Sequence, residues 1–330
     1  MKKHALLLIA LFAWLAVDAQ EVTFSVSSGV NDPAFRRKVE STVSALLTEF
    51  NRAFDAKADP SFSGIPIADG AAASVRMLWR NSPFHCDETD LVEPVLGTYD
   101  GNYQIRNIPL ESLNEKGEPV YREMVIDLDR TGQITRINRA LEAHLYRRIM
   151  ADGSQVTDLR QREMILNYVE DFRTAYDKKD IDFLEMVFSD DALIITGKVV
   201  QRKKGDGSVQ VRPGIVYSKY SKKEYLDRLR TRVFPNTKYI EVTFGNVELV
   251  KHPTIEGYYG VKVRQGYKSM FKNGAVYEDD GYLFMLWDFR DENRPQIHVR
   301  TWQPYWLDEA KTQTIAEDQI ININSFKITK

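Results

Sequence analysis

The stretch EDFRTAYDKKDIDFLEMVFSDDALIITG, residues 170–197, reads as four pieces in succession. A helix ends in AYDKKD, a shorter helix follows in FLEMV, two aspartates come next, and ALIITG is an apolar strand. Upstream, Ile165, Tyr168, Val169, Phe172 and Tyr176 recur at three- and four-residue spacing and make one apolar helix face. Asp190 and Asp191 stand where helix gives way to strand. A paired-carboxylate site would need both to converge on one substrate atom. At such a junction aspartate bonds its own backbone and favours turns, so the pair reads as a corner of the fold.

The same pattern occurs earlier in the chain. EFNRAFDAK (Glu49–Lys57) and DFRTAYDKK (Asp171–Lys179) match in an acidic residue, Phe, Ala, an aromatic, Asp and Lys. Val39, Val43, Leu46, Leu47, Phe50 and Phe54 form the first helical stripe, with Asp32 as its N-cap and Pro33 at its first position. Each copy closes on a hairpin: Val120–Ala140 around DRTG, and Gly281–Trp302 with a longer turn. Between helix and final hairpin, the second copy adds strand-like segments at Tyr239–Val250 and Tyr258–Phe271. It also adds a helix that opens with a capping box, Ser221 with Glu224. Helices first and antiparallel strands after is the α+β order. The expected organisation is a leader over 1–19, a first domain over 20–150, a linker over 151–158 and a second domain over 159–306. A tail over 307–330 follows, read as an added edge strand.

The stretch DIDFLEMVFSDDALI, Asp180 to Ile194, with the closing hairpins, resembles the nuclear transport factor 2-like (ketosteroid isomerase-like) superfamily, in two tandem copies. The resemblance covers Asp158–Trp306 and, more loosely, Asn31–Arg148. It implies a strongly curved antiparallel sheet wrapped on three helices, with a pocket between the first helix and the concave sheet face. That fold hosts enzymes, binders and inert modules alike. The isomerases of the family use a phenol on the first helix, a carboxylate base on the strand after DDA and a protonated acid early in the penultimate strand. Carried over within each motif, these fall on Phe172, Thr196 and Met285 in the second copy, and phenol and acid fall on Phe50 and Met124 in the first. A phenyl ring and a thioether neither donate to an oxyanion nor take a proton, so the isomerase mechanism does not transfer.

The chain has 330 residues, a net charge of −2, 43% hydrophobic and 28% charged residues, the balance of a globular protein. That charge makes no general case for nucleic acid or an anionic membrane. MKKH followed by ALLLIALFAWLAV and VDAQ reads as a secretory signal cut after Ala19, which implies a secreted or periplasmic protein. The apolar run is shorter than the ~20 residues a span needs, so no membrane span is expected. Cys86 is the sole cysteine, which excludes an intramolecular disulfide. It lies beside His85, yet neighbours in a strand point to opposite faces, so the pair reads as a small buried thiol rather than a thiolate–imidazole couple. The five histidines are scattered without ligand spacing, and no metal or cofactor is expected.

The candidates that remain are pocket and surface residues. Phe172, Tyr176, Phe188, Thr196, Tyr267, Tyr282, Trp287, His298 and Trp302 are the candidate pocket lining, although His298, alternating with Val299 and Arg300, reads first as a strand residue on the solvent face. Alternation puts Tyr282, Phe284 and Leu286 on one strand face and Leu283, Met285 and Trp287 on the other. A strand apolar on both faces implies that another domain or chain covers its outer side. Arg202, Lys203 and Lys204, in the locally basic segment Lys198–Lys223, are anion-binding candidates, although KKGDG also reads as a solvated hairpin turn. The functional expectation is a non-catalytic binding or assembly module that takes a small apolar ligand or an envelope protein, with pairing of copies through sheet faces. The alternatives are a lyase or isomerase on a small apolar carbonyl compound, and a purely structural envelope protein.

Overall fold

The computed structural model describes residues 20–114, 116–152, 155–202 and 212–326, the last including the backbone alone of residues 212 and 213; the side chains of 201 and 202 are likewise outside the description. The leader expected over 1–19 lies outside the described residues. Among the described residues, no helix is long and apolar enough to cross a membrane.

In residues 20–152, β1 (Thr23–Val26) precedes α1 (Pro33–Asp55) and α2 (Asp69–Asn81). Asp32 caps α1 by accepting from the Ala34 N–H, as its sequence predicts. β2 (Phe84–His85), β3 (Asp90–Glu93), β4 (Val95–Gly97), β5 (Tyr103–Leu113), β6 (Pro119–Leu128) and β7 (Ile134–Arg139) follow. β5, β6 and β7 form an antiparallel sheet, with β2 and β4 both on β5, while β1 pairs with β3 in parallel. Val39, Val43, Leu46, Leu47 and Phe50 of α1 bury against Ile105, Ile126, Leu128 and Ile137 of that sheet. The stripe read from sequence is therefore the face that α1 buries.

α3 (Ala143–Ala151) occupies what reads in sequence as a domain end, and α4 (Leu159–Lys178) begins at the Asp158 N-cap. α5 (Ile181–Val187) passes directly into β8 (Phe188–Arg202), which pairs with β9 (Arg212–Ser221). α6 (Lys222–Arg228) carries the full Ser221–Glu224 capping box and continues into a π-helical turn over Leu229–Val233. β10 (Thr237–Lys251), β11 (Tyr258–Phe271), β12 (Val276–Asp288) and β13 (Gln296–Pro304) complete a six-stranded sheet in the order β10-β11-β12-β13-β8-β9. The sheet is antiparallel except where β13 meets β8. The chain leaves β8 by one edge and returns from the far edge, so its last strand lands beside its first in the same direction. Leu283, Met285 and Trp287 face α4 in one core with Phe172, Val169 and Phe188.

A polar seam joins the two sheets. Glu170, fully buried on α4, receives Arg106 of β5 and the Leu141 N–H. Arg136 of β7 reaches Asp127, Glu170 and Asp171, and Arg139 reaches Asp177 and Glu241. Asn81 pairs both its amide groups with the backbone of Ile240, at 2.8 and 3.0 Å, and so occupies a stretch of the β10 edge. α4 is thus enclosed on one side by its own sheet and on the other by the sheet of the preceding half.

The tail departs from its expected strand. It forms short 3₁₀ turns at Glu317–Gln319 and Ile323–Ser325 and lies on the outer sheet face, Ile323 packing with Tyr258, Phe284, Leu286 and Val299. Phe326 stacks on Phe284 at 5.9 Å. Gln303, nearly fully buried, holds it by donating to the Gln319 carbonyl (2.9 Å) and accepting from the Ile321 N–H (2.6 Å). Gly260 makes the seat: a Cβ there would stand 3.2 Å from Ile323 and 2.9 Å from the Phe284 ring. The apolar outer face of β12 is real, but this chain itself covers it. Among the described residues the tail pairs only by one bridge, Trp306 with Thr314, and beyond it side-chain anchoring through Gln303 takes the place of a ladder, which is why the β-prone composition of the tail misleads.

Candidate functional site

A cavity of about 510 Å³ opens between α4, the α6–π turn and the concave face of the six-stranded sheet. Its apolar wall is Phe172 of α4, Leu229 and Val233 of the π turn, and Val242 and Phe244 of β10. Five phenols stand round it, Tyr220 beside Arg228 among them. Tyr176 and Tyr225 share a hydrogen bond of 2.8 Å between their hydroxyls, and Tyr267 and Tyr277 come from neighbouring strands. Burial pushes the phenols of Tyr176, Tyr267 and Tyr277 upward, so all stay neutral and can donate.

The charged lining is uneven. Arg300 of β13 projects beside Tyr225, its guanidinium 5.3 Å from that ring, and only 6% of the residue is exposed. Burial pulls its pKa down, and the Tyr225, Tyr176 and Asp279 oxygens more than reverse that, so it stays charged. Its Nε has no hydrogen-bond partner. Asp279 of β12 accepts from the Tyr277 hydroxyl at 2.6 Å through Oδ2, while its Oδ1 is buried without a partner. Burial pushes the Asp279 carboxyl up to about 6, Tyr277 and Arg300 opposing. Trp302 borders the same space, and its indole Nε1 also lacks a partner. Gly281 permits this: a Cβ there would stand 2.2 Å from the Gln303 carbonyl oxygen and 2.9 Å from the Trp302 ring. At the rim Lys198, Ser218 and Arg228 are exposed, with Arg228 lying 4.8 Å from the Tyr220 ring.

Of the residues expected to line a pocket, Phe172, Tyr176, Thr196, Tyr267 and Trp302 border this cavity. Phe188 and Trp287 are instead fully buried in the core beneath it, packed on Phe172 at 6.0 and 6.4 Å. Tyr282 faces outward, as its alternation with Leu283 requires, and borders a separate space of about 760 Å³ between α3, the sheet and the tail. His298 also faces outward. The register slips between Leu286 and Trp287, and the bulge turns His298 from the concave face to a polar group of Ser189 (3.2 Å), Asp191 (3.4 Å) and Asp288 (3.5 Å). Arg300, Asp279, Tyr225 and Tyr277 were not singled out in sequence. Extending the alternation from Trp302 back to Arg300, and from Met285 back to Asp279, would have found two of them.

Asp190 and Asp191 do not converge, and no turn separates α5 from β8. Asp190 is fully exposed and meets Lys222 at 2.9 Å, whereas Asp191 accepts from Ser189 at 2.6 Å. Cys86 is buried, and burial pushes its thiol up to about 11, which makes it a poor nucleophile. Lys203 and Lys204 lie outside the described residues, as does the side chain of Arg202.

No protein-family model matches the chain, and no curated protein matches it. Among solved structures, an NTF2-like protein from Cytophaga hutchinsonii is 15% identical, over 44% of this chain and 98% of its own, with a TM-score of 0.33. A putative scytalone dehydratase from Novosphingobium aromaticivorans is 11% identical over 45% and 86%, with a TM-score of 0.35. The hexachlorocyclohexane dehydrochlorinase LinA-type3 from Novosphingobium barchaimii is 13% identical over 49% and 95%, with a TM-score of 0.34. At these identities no residue role passes from them to this chain.

Proposed function

We propose that the chain is an exported protein of two tandem NTF2-like units, and that the second unit binds a small, largely apolar molecule in the cavity above Phe172. The observation that carries this reading is the convergence of unpartnered polar atoms, Asp279 Oδ1, Arg300 Nε and Trp302 Nε1, round one apolar-walled cavity. Buried polar groups are almost always paired, and a ligand with a polar end would pair these. The strand order, with β8 parallel to β13 and three helices packed round it, supports the NTF2-like assignment.

The test is titration with phenylnaphthylamine, an uncharged fluorophore that brightens in apolar sites. The expected result is saturable one-to-one binding that Thr196→Trp, a wall substitution that fills the space, abolishes without lowering the melting temperature. Equal binding by the variant would overturn the reading. Export is checked by the mass of the protein recovered from expressing cells, where loss of residues 1–19 is expected and a retained leader would overturn it. Pairing of copies through the outer face of the second sheet would require displacement of the tail from Phe284.

One observation favours a second, catalytic reading: Asp279, with a carboxyl pushed up to about 6, is poised to exchange a proton near neutral pH. Deuterium uptake from solvent into β-tetralone, beyond that in buffer and lost in Asp279→Asn, is its expected sign. Uptake equal to buffer would leave a binding protein.

A further inference from the structure

The charges round the cavity do not balance. Lys198, Arg228 and Arg300 border it, and among the described residues none of the three makes an ion pair. Asp279 is the single carboxyl in the lining, and no ion pair joins it to Arg300. Lys198 and Arg228 are exposed at the rim, where water solvates them. Arg300 differs: its residue is 94% buried, its guanidinium lies by the Tyr225 ring and is hydrogen-bonded to Tyr176, and its Nε is unpaired. A buried cation without an anion is costly, and proteins supply a counter-ion by a side chain or by a ligand. The seam on the other side of α4 shows this chain doing the former, since Arg106, Arg136 and Arg139 all meet carboxylates. Arg300 borders the cavity instead, with Asp279 close enough to act on it but not paired with it.

Resting on the reading of this cavity as a ligand site, we propose that its ligand is a small aromatic or alicyclic monoanion whose carboxylate lies against Arg300 and whose ring lies on Phe172, Val242 and Phe244. The planar guanidinium suits a carboxylate by geometry as well as charge. Tyr176 and Tyr225 share one hydrogen bond within the same lining, which leaves one hydroxyl proton of the pair free for the second oxygen. Lys198 and Arg228 at the mouth draw an anion inward. Asp279 does not forbid this, because its Oδ1 sits without a donor and burial favours its protonated form, in which it donates. The single acid in the lining therefore turns from a repelling charge into a further donor as pH falls. On the cavity side Tyr277, Tyr267, Arg300 and Trp302 face it, and on its other side it borders a smaller space with Glu278, Asp280, Asp308, Glu309 and Lys311.

The experiment compares naphthoate with its uncharged amide, which has the same shape, by calorimetric titration of the full protein at neutral pH. Naphthoate is expected to bind at least about ten times more tightly than the amide. Arg300→Met, which keeps length and loses charge, is expected to erase that preference while the amide still binds within about threefold, which also reports that the variant is folded. Should Arg300→Met fail to fold, Lys198→Gln with Arg228→Gln at the exposed rim is expected to weaken naphthoate about two- to fivefold and flatten its salt dependence, with the amide unaffected. Between about pH 7.5 and pH 5.5 naphthoate binding is expected to tighten in the wild type and to stay level in Asp279→Asn. If the amide binds as well as naphthoate, or Arg300→Met keeps the preference, the anion proposal is wrong and the cavity remains a ligand site. If neither probe binds, nor phenylnaphthylamine, the ligand-site reading falls and this proposal with it.

Discussion

Phe50 and Phe172 hold matching positions in the similar stretches EFNRAFDAK and DFRTAYDKK, and the space in front of them is used in opposite ways. Phe50 is closed in by rings: Phe84 at 5.0 Å, Trp79 at 6.1 Å and Phe62 at 6.5 Å. Phe172 has Phe188 at 6.0 Å and Trp287 at 6.4 Å on its core side, and on its other side the cavity, which it borders together with Tyr176 at 5.3 Å. Length of strand makes the difference. β10, β11 and β12 run 13–15 residues and carry their far ends past α4, where Tyr267, Tyr277 and Asp279 stand clear of the helix. In the first half α2 brings Trp79 across the equivalent space. One helix stripe thus serves a filled core and an open one, and the residues beyond the stripe decide which.

The comparison breaks first at the seam. Both halves depend on Glu170, which burial pushes upward and Arg106, Arg136 and the Leu141 N–H hold below the ordinary carboxylate range. Glu170→Ala leaves Arg106 buried without its acid, and the expected loss is about 3–5 kcal/mol in urea unfolding. If the halves fold as one unit, a single transition moves. A loss below about 1 kcal/mol would mean that the seam is incidental and the halves are independent.

Next come the paired phenylalanines. Phe50→Ala removes a ring enclosed on every side, for an expected cost of about 3–5 kcal/mol. Phe172→Ala removes one that already borders empty space, so fewer contacts are lost, and about 2–3 kcal/mol is expected. Equal costs would show that the cavity closes in solution and that the contrast is not a property of the folded protein.

That contrast also marks how far the sequence could be read. The stripes of α1 and α4, the Asp32 cap, the capping box at Ser221 and the alternation in β12 are local, because each depends on neighbours within a few positions. The stripe marked Phe172 for the packed face of α4, whereas Thr196 came only from the family resemblance; both border the cavity. The seam was invisible because its partners are far apart in the chain, Arg106 and Glu170 by 64 residues. His298 faces outward, as a strand residue on the solvent face would, and its place as a pocket candidate falls to a single bulge, which reverses the face of a strand residue without changing composition. The tail was misread because its composition favours a strand and its anchor, Gln303, lies outside it.

The outer face offers a smaller test. Ile323 is nearly buried against Phe284 and Gly260, and Ile323→Ala is expected to cost about 1–2 kcal/mol, less than a central core deletion because the tail can detach alone. Faster proteolysis within residues 307–326, with the sheet's amide protection unchanged, is the expected signature. A concentration-dependent rise in mass of the same variant would show that the exposed Phe284 face pairs with a second copy.

The smallest effect concerns the one carboxyl that the open half holds and the closed core does not need. Asp279 has its folded pKa raised from 3.8 to about 6, chiefly by burial, with Arg300 and Tyr277 acting the other way. A raised carboxyl pKa means that the folded state binds the proton more tightly than the unfolded chain. Stability is therefore greatest below about pH 4, falls as pH rises through the window from about 4 to 6, and is level above it. Two units correspond to roughly 3 kcal/mol, and water in the cavity reduces that, so about 1–2 kcal/mol is expected. Asp279→Asn carries no charge at any pH, so its melting curve should lose this descent and lie above the wild type at neutral pH. A variant less stable than the wild type at neutral pH would mean that Asp279 is held ionised by Arg300. The cavity would then already contain its own counter-ion, and the two halves would differ in shape but not in unsatisfied charge.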